Sequence, residues 1–306
     1  MTELLTAVLS ATFLVAVIRA TTPLLLATLG GLVSDLSGAL NVALEGMMLI
    51  AALTAVIVSV HAPWWIAVLA GMGMGALLGA LMGLFHLRLR ADIILVGFAV
   101  NILAAGGTPF ALSLATGGDK GTSINLVSGK IPAVHIPWVD GVPVLGLLSG
   151  HSLLSWVAAF AVFGLWYILY RTPRGLWLRA VGEAPAAPQA AGVRVDAVRM
   201  WSLVASGALA GLGGAQLAMF NYVGFTRDMT AGRGFIALGA VLLGARHPVG
   251  ALLAALLFGV FEALSIVMPG LFGWIPGELI QTIPFVVTVL ALILFSARTR
   301  RRESAA

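Results

Sequence analysis

The chain has 306 residues, 60% of them hydrophobic and only 9% charged, with a mean hydropathy of +1.06 and a net charge of +5. A water-soluble domain carries about 25% charged residues, so most of this surface cannot face water and a membrane protein is the class that remains. There is no cysteine, which excludes disulfides, thiolate metal sites and a cysteine nucleophile.

Apolar stretches of the length that crosses about 30 Å of hydrocarbon fall at 4–29, 42–60, 64–87, 92–113, 152–170, 199–219, 231–245, 249–268 and 278–297. The expected fold is therefore all-α: a polytopic transmembrane helical bundle of about nine spans, within a range of eight to ten. The opening MTELLTAVLSATFLV lacks the basic region of a cleaved signal peptide and reads as part of the first span. That span is open to a break between Arg19 and Pro23, and the seventh is short enough to be half a helix.

One early stretch stands apart. In 26–52 an apolar run meets Gly30 and Gly31, passes a polar patch of Asp35, Ser37, Gly38 and Asn41, and resumes with one carboxylate, Glu45. In a bilayer this is a broken helix with a charge inside it, the mark of a transport path or another functional polar site.

Segment 114–151 is the longest piece outside the spans. Gly117, Gly118, Gly121, Pro132, Pro137 and Pro143 make it a loop with room for a short strand or interfacial helix. Trp138, and the pair Trp64 and Trp65, read as interfacial anchors.

Arginine placement orients the bundle. Arg88, Arg90, Arg171, Arg174, Arg179, Arg194, Arg199, Arg246, Arg298, Arg300, Arg301 and Arg302 share one face, twelve of the 17 basic residues. That face is expected to be cytoplasmic, with the C-terminus on it; nine spans then put the N-terminus outside. This distribution favours a topology signal over a nucleic-acid surface.

The two halves resemble each other weakly. LATLGG at 26–31 matches LAGLGG at 209–214 in five of six positions, and Glu45-Gly46 aligns with Arg233-Gly234 after a short slip. Gly-interrupted segments of opposite direction form the pattern of an inverted repeat, whose interface commonly holds the pathway. The expected organisation is a single transmembrane domain over 1–306. It comprises a first repeat at 1–113, an extracytoplasmic segment at 114–151, a linking span at 152–170, a cytoplasmic loop at 171–198, and a second repeat with a basic tail at 199–306.

Loop 171–198 is the most informative. From Glu183 to Ala191 it is Ala-rich and bounded by Gly182 and Gly192, with Pro185 placed where a first helical turn tolerates proline. A short extramembrane helix flanked by arginines suits a docking element; a plain positive-inside loop is the alternative.

These residues reach a family. The stretches TPLLLATLGGLVSDLSGALNVALEGMMLIAA (22–52), LRADIILVGFAVNILAAG (89–106), GLWLRAVGEAPAAPQAAGVRV (175–195) and GFTRDMTAGRGFIALGAVLLGARHPVGALLAALLFG (224–259) resemble the permease subunit of ATP-binding-cassette importers for nucleosides and simple sugars. The wider group includes ribose and branched-chain amino acid permeases, and only 114–151 lacks a matching motif. Pro188 departs from the pattern, where an acidic or polar residue is usual. The resemblance implies that Glu183, Ala186, Ala187 and Gly192 belong to a coupling helix that meets the ATPase subunit. It further implies two permeases (a heterodimer favoured, a homodimer open), two ATPases and an external substrate-binding lipoprotein, in a bacterial or archaeal inner membrane. The permease itself then needs no cofactor and hydrolyses nothing, ATP being used by the partner. The sequence accordingly contains no G-x-x-x-x-G-K-[ST] phosphate loop.

For the path, Glu45 and Arg233 hold matching places in the repeats. One reading joins them with Asn41, Asn101, Gln216 and Asn221 in a polar cluster along the route, amides being suited to sugars and neutral nucleobases. The other reading is structural, with Glu45 and Arg233 bonding backbone groups that broken helices expose. Glu262, in the eighth span, is placed either on the interior or in a helix–helix hydrogen bond, and Asp92 at a cytoplasmic turn. His61, His86, His135, His151 and His247 lack metal-ligand spacing, and Ser34, Ser37 and Asp35 form no nucleophile triad. The rival to an ATP-driven importer is an ion-coupled secondary transporter of small polar solutes in which Glu45 binds the coupling ion. A membrane-embedded enzyme is a third class, disfavoured because no catalytic dyad or metal motif is present.

Overall fold

A computed structural model describes residues 11–119, 121–123, 126, 129–135 and 149–271, together with Thr282 and Val286. The ninth expected span at 278–297, the basic tail, Trp138 and residues 1–10 lie outside the described residues. The chain builds α1 (Ala11–Leu36), α2 (Leu44–His61), α3 (Trp64–Gly83), α4 (Ile93–Thr116) and α5 (Leu153–Arg171). After these come α6 (Pro173–Glu183), α7 (Ala186–Ala190), α8 (Val195–Gln216), α9 (Arg233–Leu243) and α10 (Pro248–Leu271). Helices α3 and α8 run on through single π-helical turns, Leu84–Arg88 and Leu217–Asn221. Among the described residues seven helices are long and apolar enough to cross a membrane, and α9 is a shorter apolar helix.

Helix α1 is the axis of the bundle. From Ala20 to Ser34 every residue is buried, whichever side of the helix it lies on. Helices α2 and α8 surround it and are mostly buried as well, whereas α4 and α5 lie outside. The outer helices turn Ile102, Phe110 and Leu114 on α4, and Phe160 and Phe163 on α5, away from the protein. Because lipid is as apolar as these side chains, helices must be held together by close packing and polar contacts instead.

That packing is visible between α3 and α8. Gly71, Gly75 and Gly79 repeat at four-residue intervals on α3 and meet Gly207, Gly211 and Leu203 on α8. A Cβ on Gly75 would run into the carbonyl of Gly207, and a Cβ on Gly207 into that of Gly75. The backbones touch because neither helix has a side chain in the seam.

Helix α1 is not broken between Arg19 and Pro23. Pro23 lies inside it and has no N–H to give the carbonyl four residues back, which is that of Arg19. Asn221 supplies the missing donor, its Nδ2 standing 3.0 Å from that carbonyl oxygen. The helix also passes Gly30 and Gly31 and continues to Leu36, seven residues beyond the expected end, so the real break is at Ser37.

The other boundaries move less. Asp92 is the N-cap of α4, its Oδ1 accepting from the N–H groups of Ile94 and Leu95 at 2.8 and 3.1 Å. Ser152 caps α5 in the same way. Within 114–151 the described residues include a two-residue strand, β1 (Ala133–Val134), antiparallel to β2 (His151–Ser152), with Ala133 opposite Ser152.

Candidate functional site

Polar side chains converge where α1 breaks. The chain reverses over Ser37 and Gly38, where Gly38 takes a φ of +76°, and climbs beside α8 in a non-helical stretch to Ala43. Side chains take up several of the backbone groups released there, as a buried irregular segment requires. The Ser37 and Ser202 hydroxyls are 2.6 Å apart, and Asn41 Nδ2 donates to Ser206 Oγ at 2.9 Å. Asn41 Oδ1 accepts from the Ala43 N–H at 2.9 Å, while Ser34 Oγ accepts from the Asn41 N–H at 3.3 Å. Arg199 Nε reaches the Ser37 carbonyl at 3.4 Å.

Helix α2 then starts inside the protein. Asn101 of α4 clamps its first turn, Oδ1 accepting from the Gly46 N–H at 2.8 Å and Nδ2 donating to the Val42 carbonyl at 3.0 Å. One residue earlier, Glu45 turns away from its own helix towards the start of α9. Its Oε1 accepts from the Gly232 N–H at 2.8 Å and its Oε2 from the Gly234 N–H at 2.6 Å. The two helix beginnings abut so closely that a Cβ on Gly234 would strike the backbone of Glu45. Each N-terminus carries a partial positive charge, so a carboxylate between them is favourably placed. From this junction α9 runs to the end where Arg246 meets Asp35, while α2 runs the other way to Ser59, beside Gly129.

Arg233 does not pair with Glu45. Its guanidinium binds Glu262 of α10 through Nε at 2.7 Å and through Nη2. It also donates to the Met229 and Thr230 carbonyls at 2.9 and 3.2 Å, and to the Tyr222 hydroxyl at 3.1 Å. The interior charge is thus compensated by one carboxylate, with its remaining donors occupied. Nearby, Gln216 accepts from Ser152 Oγ at 2.8 Å and reaches Asn221 at 3.4 Å. Arg19 lies over the Phe220 ring, 5.3 Å from its centre.

At the arginine-rich end, the expected single docking helix is two. Helix α6 starts at a Thr172 cap and α7 is a single turn of five residues. Glu183, Ala186, Ala187 and Gly192 are all exposed, as is the rest of 183–192 except Pro188. Pro188 is buried and faces the bundle, so the proline fastens the turn while its alanines point outward. Gly192 closes it with a φ of +84°, and the Val193 N–H returns to the Pro188 carbonyl at 2.9 Å. Gly182, at the end of α6, lies directly against the Leu36 carbonyl and the Gly38 N–H.

The six expected path residues therefore occupy three places. Asn41, Glu45 and Asn101 hold the crossing and the start of α2; Gln216 and Asn221 lie at the far end of α8; Arg233 joins Glu262. Ser202, Ser206 and Tyr222 escape a reading by charge alone, since hydroxyls scattered through apolar sequence give no periodic signal. Their one trace is spacing: Ser202 and Ser206 lie four residues apart, on the face of α8 turned towards the 37–41 stretch.

Helices that break and meet inside a polytopic bundle are the architecture of membrane transport proteins. The sequence pattern of the family described as "Branched-chain amino acid transport system / permease component" matches residues 13–292, and the chain belongs to that family. It is 38% identical to the guanosine ABC transporter permease protein NupQ of Bacillus subtilis, over 90% of this chain and 89% of that one. It is 35% identical to the nucleoside ABC transporter permease protein NupC of Lactococcus lactis, again over 90% and 89%. A putative glucose ABC transporter permease protein, TsgC13 of Haloferax volcanii, is 32% identical over 82% of this chain and 76% of its own. No solved structure matches the chain significantly.

Proposed function

We propose that this protein is the membrane permease subunit of an ATP-binding-cassette importer that moves nucleosides inward by alternating access. The likeness to the guanosine and nucleoside permeases along nine-tenths of the chain carries this reading, and the lower identity of the glucose relative ranks sugar second. The arginine-rich face is then cytoplasmic, with the C-terminus on it. ATP is used by a separate ATPase, and the permease needs no cofactor. An external binding lipoprotein delivers the substrate, and a second, different permease completes the pair.

Glu183, Ala186, Ala187 and Gly192 form the surface that meets the ATPase. The contact of Gly182 with Leu36 and Gly38 supports this assignment, because it leads from that surface to the break in α1. Of the path residues, Gln216, Asn221 and Arg233 border the route beside Tyr222. Asn41, Glu45 and Asn101 shape it by fixing where α2 begins. Nine spans in two inverted repeats remain the proposed frame, supported by the way α2 and α9 start together and run apart.

The test is uptake of labelled guanosine into vesicles holding the chain with its ATPase, second permease and binding protein. ATP-dependent uptake that survives a protonophore is expected, with excess cold nucleoside competing and glucose not. Uptake abolished by the protonophore and indifferent to ATP would instead establish the ion-coupled transporter.

A further inference from the structure

A cavity of about 950 Å³ opens on the outer side of the bundle at its arginine-rich end. It lies between the last turns of α5, helix α6, the 191–194 link and the first half of α8. Its floor is apolar, from Val33, Leu165, Leu169, Ala205 and Leu209. Its polar edge holds Arg174 and Arg194, and no acidic residue lines it. Both arginines are exposed, and among the described residues neither enters an ion pair. Trp177 and Trp201 also line it, and Trp201 is 71% exposed.

An apolar trough that continues into a lipid-facing helix, edged by unpaired arginines and tryptophans, matches one ligand chemistry. Acyl chains fill the trough, indoles sit at headgroup level, and guanidiniums take the phosphate. Arginine suits this role because its planar fork pairs with phosphate oxygens through two donors. We propose that the cavity is a binding site for an anionic phospholipid, with Arg174 and Arg194 on its phosphate and an acyl chain along Leu165, Leu169 and Leu209. Gly192 and Val193 line the same space, so the bound lipid braces the link that follows α7. The site is independent of which solute the permease carries.

The test uses the full assembly in nanodiscs, with lipids brominated on their acyl chains. Brominated phosphatidylglycerol is expected to quench tryptophan fluorescence in preference to brominated phosphatidylcholine, and the Trp177→Phe/Trp201→Phe protein should lose that difference. Each arginine near an anionic headgroup contributes about fivefold, so Arg174→Gln/Arg194→Gln should lower the preference about 30-fold. Ala205→Phe, which fills the trough and leaves both charges, should also abolish it. Equal quenching by the two lipids would overturn the proposal. So would quenching seen with the isolated permease and absent from the assembly, which would give the face to a partner subunit. Suppression of the signal by inorganic phosphate alone would leave an anion site and no lipid.

Discussion

Gly182 stands against the carbonyl of Leu36 with no room for even a methyl group between them. The glycine ends the helix that precedes the exposed turn α7, and the carbonyl ends the helix at the centre of the bundle. Movement of one therefore displaces the other directly, without a flexible side chain to absorb it. Overpacking a tight contact costs about 1–3 kcal/mol, and coupling energies of that size correspond to about 5- to 150-fold effects. Gly182→Ala is expected to lower uptake within that range while the assembled ATPase goes on hydrolysing ATP. If uptake and hydrolysis fell in proportion, Gly182 would be no more than a packing position.

Glu45 satisfies two backbone donors on a neighbouring helix. Removing both acceptors leaves buried N–H groups unpaired, at about 1–3 kcal/mol each. Glu45→Ala should therefore lower the unfolding temperature clearly, and Glu45→Gln, which keeps one acceptor oxygen, should cost less. The check is thermal unfolding in detergent followed by loss of monodispersity. Equal unfolding temperatures for the three proteins would remove Glu45 from the role of fastening α9.

Arg233 and Glu262 form a mostly buried pair, 11% and 13% exposed. Breaking such a pair from one side costs about 3–5 kcal/mol, whereas replacing both partners with apolar residues is often close to neutral. Glu262→Gln and Arg233→Met should each destabilise strongly. The Arg233→Met/Glu262→Met protein should recover much of the loss and yet transport poorly. A double-mutant cycle with additive effects would deny the coupling.

The carbonyl of Arg19 owes its donor to Asn221, because Pro23 has none to offer. Asn221→Leu removes that hydrogen bond, which is exposed, and should cost about 0.5–1.5 kcal/mol. Adding Pro23→Ala returns a backbone N–H to the helix, so the double variant should regain most of the stability. No rescue by Pro23→Ala would show that Asn221 matters for another reason.

Two glycines of α3 should behave oppositely. Gly73 has open space where a side chain would go, whereas Gly75 is pressed on the backbone of Gly207. Gly73→Ala should raise helix stability slightly, since alanine is favoured over glycine by about 1 kcal/mol. Gly75→Ala has to push α3 from α8 and should lower the yield of folded protein measured by size-exclusion fluorescence.

Much of this arrangement is readable from residue order, and the failures have physical causes. The spans are legible because a bilayer demands long apolar runs, and the short seventh run is indeed the half-length α9. The break after α1 is legible in kind but not in place. Gly30 and Gly31 look like breakers, yet they serve close approach: a Cβ on Gly30 would come within 2.6 Å of the Ser206 carbonyl. Pro23 misleads in the same way, because its repair comes from Asn221, nearly two hundred residues later. The aligned charges Glu45 and Arg233 suggest one polar cluster, and the structure gives each its own partners. Spacing along a chain aligns the two charges, but does not tell which side chains reach across. In the 171–198 stretch, the Ala-rich composition marks an exposed turn, while the separate helix α6 is hidden because arginines and glycines interrupt its pattern.

Helix α9 has 11 residues, about 16 Å of helix where the hydrocarbon is about 30 Å thick. It begins with an arginine whose carboxylate partner is on α10 and with two backbone donors whose acceptor is on α2. Left in lipid by itself, such a segment would be both too short to reach across and too polar at its inner end to stay. It cannot be threaded into the membrane as an independent stop. During biogenesis it must wait at the surface or inside the insertion machinery until α2 and α10 can build its slot. Placement of α9 is then a late step, and variants at Glu45 are expected to lower the yield of inserted protein as well as its stability.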